Sequence, residues 1–225
     1  MQNQVSTSDS DFDKIGESRW PMVIAVIAVM AMTFVPPALF TVGQVPVAPL
    51  AIGVLLVLLI VGDPGRIDKR SRSLRIVLLA LAFLMVATTL LSTVVLVVDL
   101  IRGSAVVQDA GPLLIYSTKI WLSNNVAFAL LYWSIDRGGP AERVHGTDHY
   151  PDFLFPQITD PAIAAPGWRP RFIDYLYIGF TNANAFSPTD TLPLTGRAKL
   201  VMQVQALISY AILALVLARV VNAFA

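Results

Sequence analysis

Cysteine is missing from this chain, which excludes disulfides, thiolate metal sites, iron–sulfur clusters and cysteine nucleophiles. Charge is scarce as well: 14% of the residues are charged, and they nearly cancel to a net +1. That balance argues against a nucleic-acid surface. Histidine occurs only at His145 and His149. With Asp148 and Asp152 they make the one metal-like cluster. Two histidines at that spacing bind zinc well on a helix, and Gly146 and Pro151 argue against a helix there, so no metal is expected. No phosphate-binding glycine loop, dinucleotide fingerprint or nucleophile elbow is present. Neither an enzyme nor a resident cofactor is expected.

What is present is apolar length. Hydrophobic residues make up 56% of the chain, and the mean hydropathy is +0.67. Such a composition belongs to the membrane class. The runs Trp20 to Gly62, Ile76 to Val98 and Leu200 to Ala218 carry no charge. A span needs roughly 20 apolar residues to cross a hydrocarbon core about 30 Å thick, and these runs meet that requirement. The sequence predicts an all-α integral membrane protein, with five transmembrane helices and a short re-entrant, pore-like helix before the last span.

Local chemistry sets the boundaries. Residues 1–19 read as a polar, disordered tail that stays on the mature protein. Residues 20–135 read as a four-helix region. Its first helix runs from Trp20 to about Phe40, where Pro36 and Pro37 end or kink it. A tight hairpin around Thr41-Val42-Gly43-Gln44 leads to a second helix, Val45 to Val61. Leu74 to Leu100 is the third, and Gly111 to Ile135 the fourth and most polar. Residues 136–171 read as a polar loop rich in proline and aspartate, and loops of that length are functional or mobile. Residues 172–225 hold the pore-like helix and the fifth span, about Arg197 to Asn222.

Two sets of polar groups fall inside the spans. Lys119 sits well within the fourth helix, and intramembrane charges are often functional. It reads either as paired with Asp99, near the end of the third helix, or alternatively Asp109, or as reaching back to the interface. Gln205 and Ser209 share a face of the last helix at i, i+4 spacing. They either line a path or bond a neighbouring helix.

From Phe172 to about Asn184 the chain has roughly thirteen helical residues, about 20 Å, or half a bilayer. Pro170 and Asp174 suit a helix start. Asn182, Asn184, Ser187, Thr189 and Asp190 follow at its far end, where the partial negative charge of the helix would face a cation. The alternative is an amphipathic helix lying on the membrane surface before an ordinary fifth span.

Asp174-Tyr175-Leu176-Tyr177 followed by Phe180 resembles the pore helix of bacterial potassium channels. Asp190, Pro193 and Gly196-Arg197 resemble the stretch leading into their inner helix. Ala185-Phe186-Ser187-Pro188-Thr189-Asp190 stands where those channels carry the threonine-valine-glycine-tyrosine-glycine-aspartate filter, and only the aspartate is shared. The resemblance covers about a quarter of the chain. It implies a pore-loop layout and a homo-oligomer, a tetramer if channel-like. It does not carry over a potassium-selective ring of carbonyls, because serine and proline do not share the backbone angles of the filter glycines.

Orientation follows from the connector holding Arg66, Lys69, Arg70, Arg72 and Arg75, since basic connectors face the cytoplasm. Counting from it, the pore-like segment enters from the cytoplasm, opposite to potassium channels. The expected protein is a multi-pass, channel-like component of a bacterial inner membrane, surrounded by lipid and passing a small ion or polar solute. The alternatives are a non-conducting scaffold or sensor using residues 141–171, and a small transporter using Lys119 and Asp99.

Overall fold

The computed structural model describes residues 16–33, 41–42, 45–103, 109–146, 150–185 and 190–224. Among them, four helices of 16 residues or more and two of 14 form the body. These are α1 (Trp20–Thr33), α2 (Val47–Gly62), α3 (Arg72–Arg102) and α4 (Ala110–Ile135), then α7 (Phe172–Ala185) and α8 (Gly196–Phe224). Two short helices, α5 (Pro140–Val144) and α6 (Pro156–Thr159), lie between α4 and α7. The strands β1 (Thr41–Val42) and β2 (Val45–Pro46) pair antiparallel ahead of α2, so the second helix starts at Val47 where Val45 was expected.

Local signals explain the helix limits. Ser71 caps α3 by accepting from the Leu74 N–H, and Gly103 closes it at φ 67°, its N–H bonding the Asp99 carbonyl. That left-handed position suits glycine. Along α3, the hydroxyls of Thr88, Thr89, Ser92 and Thr93 donate to their own helix's carbonyls at 2.8–2.9 Å. These groups satisfy themselves and leave α3 to pack through Leu78, Leu81, Met85 and Leu96.

At the centre stands α4, touching α1, α3, α7 and α8. From Ala127 to Ser134 every residue is buried, none more than 3% exposed. Along this half of α4 runs α7, in the reverse direction. Phe172 sits edge-on to Trp133, and Phe180 edge-on to Trp121. Between them, a Cβ on Gly179 would stand 3.0 Å from the Asn125 carbonyl oxygen, so the two backbones meet closely there. With 14 residues, α7 is about 21 Å long, against about 39 Å for the 26 residues of α4.

The chain then comes back to the end it left. Strand β4 (Leu192–Pro193) pairs antiparallel with β3 (Phe153–Leu154), in the register Phe153↔Pro193 and Leu154↔Leu192. The Leu194 N–H bonds the Asp152 carbonyl at 2.8 Å. From there α8 runs the length of α4, with Arg197 near Ile135 and Ser209 against Asn124.

Arg72–Arg102 and Gly196–Leu217 are long and apolar enough to cross a membrane, and Trp20–Met32 and Val47–Gly62 are shorter apolar helices. α4 is as long but carries Lys119, Asn124 and Asn125.

Helix α1 is described over Trp20–Thr33, and the expected continuation to Phe40 lies outside the described residues. Two further sequence expectations change. Gly16 to Arg19 are no tail: the Ile67 N–H bonds the Glu17 carbonyl and the Arg19 N–H bonds that of Gly65, and Arg19 forms a buried 3.0 Å ion pair with Asp63. Residues 136–171 are not structureless either. They hold α5, β3 and α6, and Asp152 and Phe153 are fully buried.

Candidate functional site: a half-length helix held by buried polar groups

Two buried aspartates anchor the return loop. Asp136 ends α4 and is fully buried. One carboxylate oxygen accepts from the N–H groups of Asp152 and Phe153 at 2.8 and 3.3 Å. The other accepts from the Tyr175 hydroxyl of α7 at 2.5 Å. Asp152, also fully buried, accepts from the Thr195 hydroxyl and from Arg197 Nε and Nη2, at 2.5–2.6 Å. The two acids therefore pin the end of α4, the start of α7 and the start of α8 to one another. Buried carboxylates persist when several donors replace their lost water.

Deeper in, α7 and α8 share a second set of bonds. Gln205 Oε1 accepts from the Tyr132 hydroxyl at 2.5 Å and from Asn182 Nδ2 at 2.9 Å. Gln205 Nε2 donates to the Gly179 carbonyl at 2.9 Å, and Asn182 Nδ2 also reaches the Met202 carbonyl. One turn further along α8, the Ser209 hydroxyl accepts from Asn124 Nδ2 at 2.8 Å. Gln205 and Ser209 do share a face, as their spacing implies, and that face is fully buried against α4 and α7. Within one chain these groups bond helix to helix.

The other residues singled out from sequence are spread apart. Asn184 is exposed, its Nδ2 donating to the Phe180 carbonyl. Asp190 is exposed near β4. Ser187 and Thr189 lie outside the described residues. Lys119 lines a cavity of about 80 Å³ among α1 to α4, with Thr88, Thr89, Ser92, Tyr116 and Ser123. Asp99 is seven residues beyond Ser92, about 10 Å further along α3, and is not part of that wall. His145 Nδ1 lies 2.8 Å from the Ala141 carbonyl oxygen. Asp152 is engaged as above, and His149 and Asp148 are outside the described residues. Among the described residues no group of three His, Asp or Glu is placed to hold a metal.

Residues 16–19, the basic connector, α5 and the starts of α7 and α8 gather at one end of the bundle. Glu17 ties residues 16–19 to the end of α4 and the start of α7. Its carboxylate accepts from the Phe172 N–H at 2.5 Å and the Trp133 indole at 2.9 Å. Burial pushes this carboxyl above the ordinary 4.5, against the lowering effect of those two donors and of Arg143 and Arg171. Arg70 pairs with Glu142 across the same end.

The clamp formed by Asp136, Asp152, Tyr175 and Arg197 was not read from sequence. One local signal was present: an acid directly after a helix whose last two turns are apolar or aromatic except for Ser134. Comparison with protein-family models, curated proteins and solved structures yields no match.

Proposed function

We propose that this chain is a multi-pass, channel-like protein of a bacterial inner membrane, passing a small ion or polar solute between copies of itself. The observation that carries the reading is that α7, half the length of α4, descends beside it, and that residues 190–194 lie back at the end where α7 begins. A membrane protein uses that shape to bring backbone to mid-depth, where irregular chain is tolerated only in protein or beside water. Wide apolar exposure fits a lipid surround, with Val54, Val57, Phe83, Leu90, Leu207 and Leu217 all bare. By the positive-inside rule, the end with the basic connector faces the cytoplasm.

Asn182, Gln205 and Ser209 are consumed inside the chain, so the path runs along its outer edge. There Asn184 on α7 and Gln203 and Tyr210 on α8 face outward. Asn182 bonds Met202 and Gln205, which sets Asn184 and Gln203 at similar depth. Uncovered amides at that depth want a partner or water. Packing copies edge to edge supplies both.

A second reading, a non-conducting membrane scaffold or sensor, draws on the same closed interior. Flux into liposomes holding the purified protein separates the two. Channel function predicts an ion or solute flux altered by Asn184→Ala or Ser187→Ala, from an oligomer in detergent. A monomer with no flux for any ion tested contradicts it and favours the scaffold.

A further inference from the structure

The end of the bundle that carries the basic connector also holds a pocket that the proposed conduction path does not use. Its volume is about 390 Å³, a size suited to a small ligand. Four arginines from three stretches of chain line it: Arg66 after the turn that follows α2, Arg143 on α5, and Arg169 and Arg171 just before α7. Among the described lining residues Glu17 is the one carboxylate, and both its oxygens accept hydrogen bonds from Phe172 and Trp133.

Neutral groups hold several of these guanidiniums in place. Arg66 Nη1 donates to the Gly16 carbonyl at 3.2 Å. Arg143 Nη1 donates to the carbonyls of Trp133 and Asp136 at 2.9 and 2.8 Å, and Arg169 Nη1 to that of Val144 at 3.1 Å. Arg143 is 9% exposed. Its guanidinium carbon lies 5.1 Å from the centre of the Tyr175 ring, and its Nη2 is buried without a hydrogen-bond partner. Carbonyls and a ring face orient Arg66 and Arg143. Four guanidiniums face the single Glu17 carboxyl on one concave wall, an excess of positive charge that a bound anion relieves.

We propose that this pocket binds a phosphate-type oxyanion, either inorganic phosphate or the phosphate of a lipid headgroup. The planar fork of a guanidinium meets such an anion two oxygens at a time, which a point charge does not do. Its occupant would lie against Pro140, Pro170 and Arg171, joining α5 to the entry of α7. Binding there is independent of whether the protein conducts.

Two arms test it and separate the sources. Thermal unfolding of the purified full chain is followed in rising inorganic phosphate, against chloride at equal ionic strength. In parallel, native mass spectrometry records lipid retained after extraction from vesicles of phosphatidylglycerol or of phosphatidylcholine. The comparison variant is Arg66→Gln with Arg171→Gln, both at exposed positions. If the source is free phosphate, phosphate stabilises the wild type beyond chloride, and the variant needs about tenfold more of it or greater. If the source is a headgroup, phosphatidylglycerol stays on the wild type and is lost from the variant. The proposal is overturned if phosphate acts no differently from chloride and wild type and variant retain phosphatidylglycerol alike. The phosphate-against-chloride and lipid-against-lipid comparisons on the wild type stand even if the variant folds poorly. Wild type that shows neither effect also overturns the proposal.

Discussion

Two sides of α4 are joined to their neighbours in different ways. On the side of α1 to α3, the hydroxyls of Thr88, Thr89, Ser92 and Thr93 bond their own helix. The joint there is Val, Leu and Met packing, closed at one end by the Arg19–Asp63 pair. On the side of α7 and α8, side chains cross from helix to helix: Tyr132 and Asn182 to Gln205, Asn124 to Ser209, Tyr175 to Asp136. Apolar packing accepts volume-conserving change. Directed hydrogen bonds set depth and rotation. Helix α7 packs on α4 through Phe172, Tyr175 and Ile178, and the second kind of joint fixes its depth and rotation against α4 and α8.

Substitutions can break or sharpen this contrast. The largest loss is expected for Asp136→Ala, which orphans two buried N–H groups and the Tyr175 hydroxyl; unfolding in a denaturing-detergent titration should register about 3–5 kcal/mol. Next comes Gln205→Leu, which keeps apolar volume but strands Tyr132 and one Asn182 bond, for about 1–3 kcal/mol. Both should also loosen α7, read as faster hydrogen exchange from Phe172 to Ala183.

Glu17 adds a pH signature to the polar side. Its carboxyl is held above the ordinary 4.5 by burial, so the folded chain binds this proton more tightly than the unfolded one. The stability it contributes is full below 4.5 and is lost as pH rises through the raised value. Thermal unfolding from pH 4 to 7 should show a fall that Glu17→Gln flattens. Smallest of all is Thr89→Val on the apolar side: a hydroxyl bonded only to its own helix is expendable, and the change should stay within about 0.5 kcal/mol. A loss there equal to that of Gln205→Leu would erase the contrast.

Much of the helical frame was legible. The third, fourth, pore-like and last helices, read as starting at Leu74, Gly111, Phe172 and Arg197, begin at Arg72, Ala110, Phe172 and Gly196. Charge-free runs, prolines and glycines mark such limits locally. The clamp was not legible, because a burial partner is not a local property. Asp136 and Asp152 look like turn acids in a polar loop. Only the fold brings Tyr175, Thr195 and Arg197 to them, from 39, 43 and 45 residues away. The shared face of Gln205 and Ser209 was readable from spacing, but what that face meets was not.

A cysteine-free sequence makes the most direct measurement simple. Single cysteines at Ser71, Ala165, Leu192 and Gly103 can be challenged with an impermeant thiol reagent in sealed, oriented vesicles. Ala165 and Leu192 flank the half-length helix, and Gly103 lies at the far end of α3. Ser71, Ala165 and Leu192 are expected to label from one side and Gly103 from the other. Labelling of Ala165 and Leu192 from opposite sides would mean that residues 172–185 cross the membrane, and would contradict the re-entrant path.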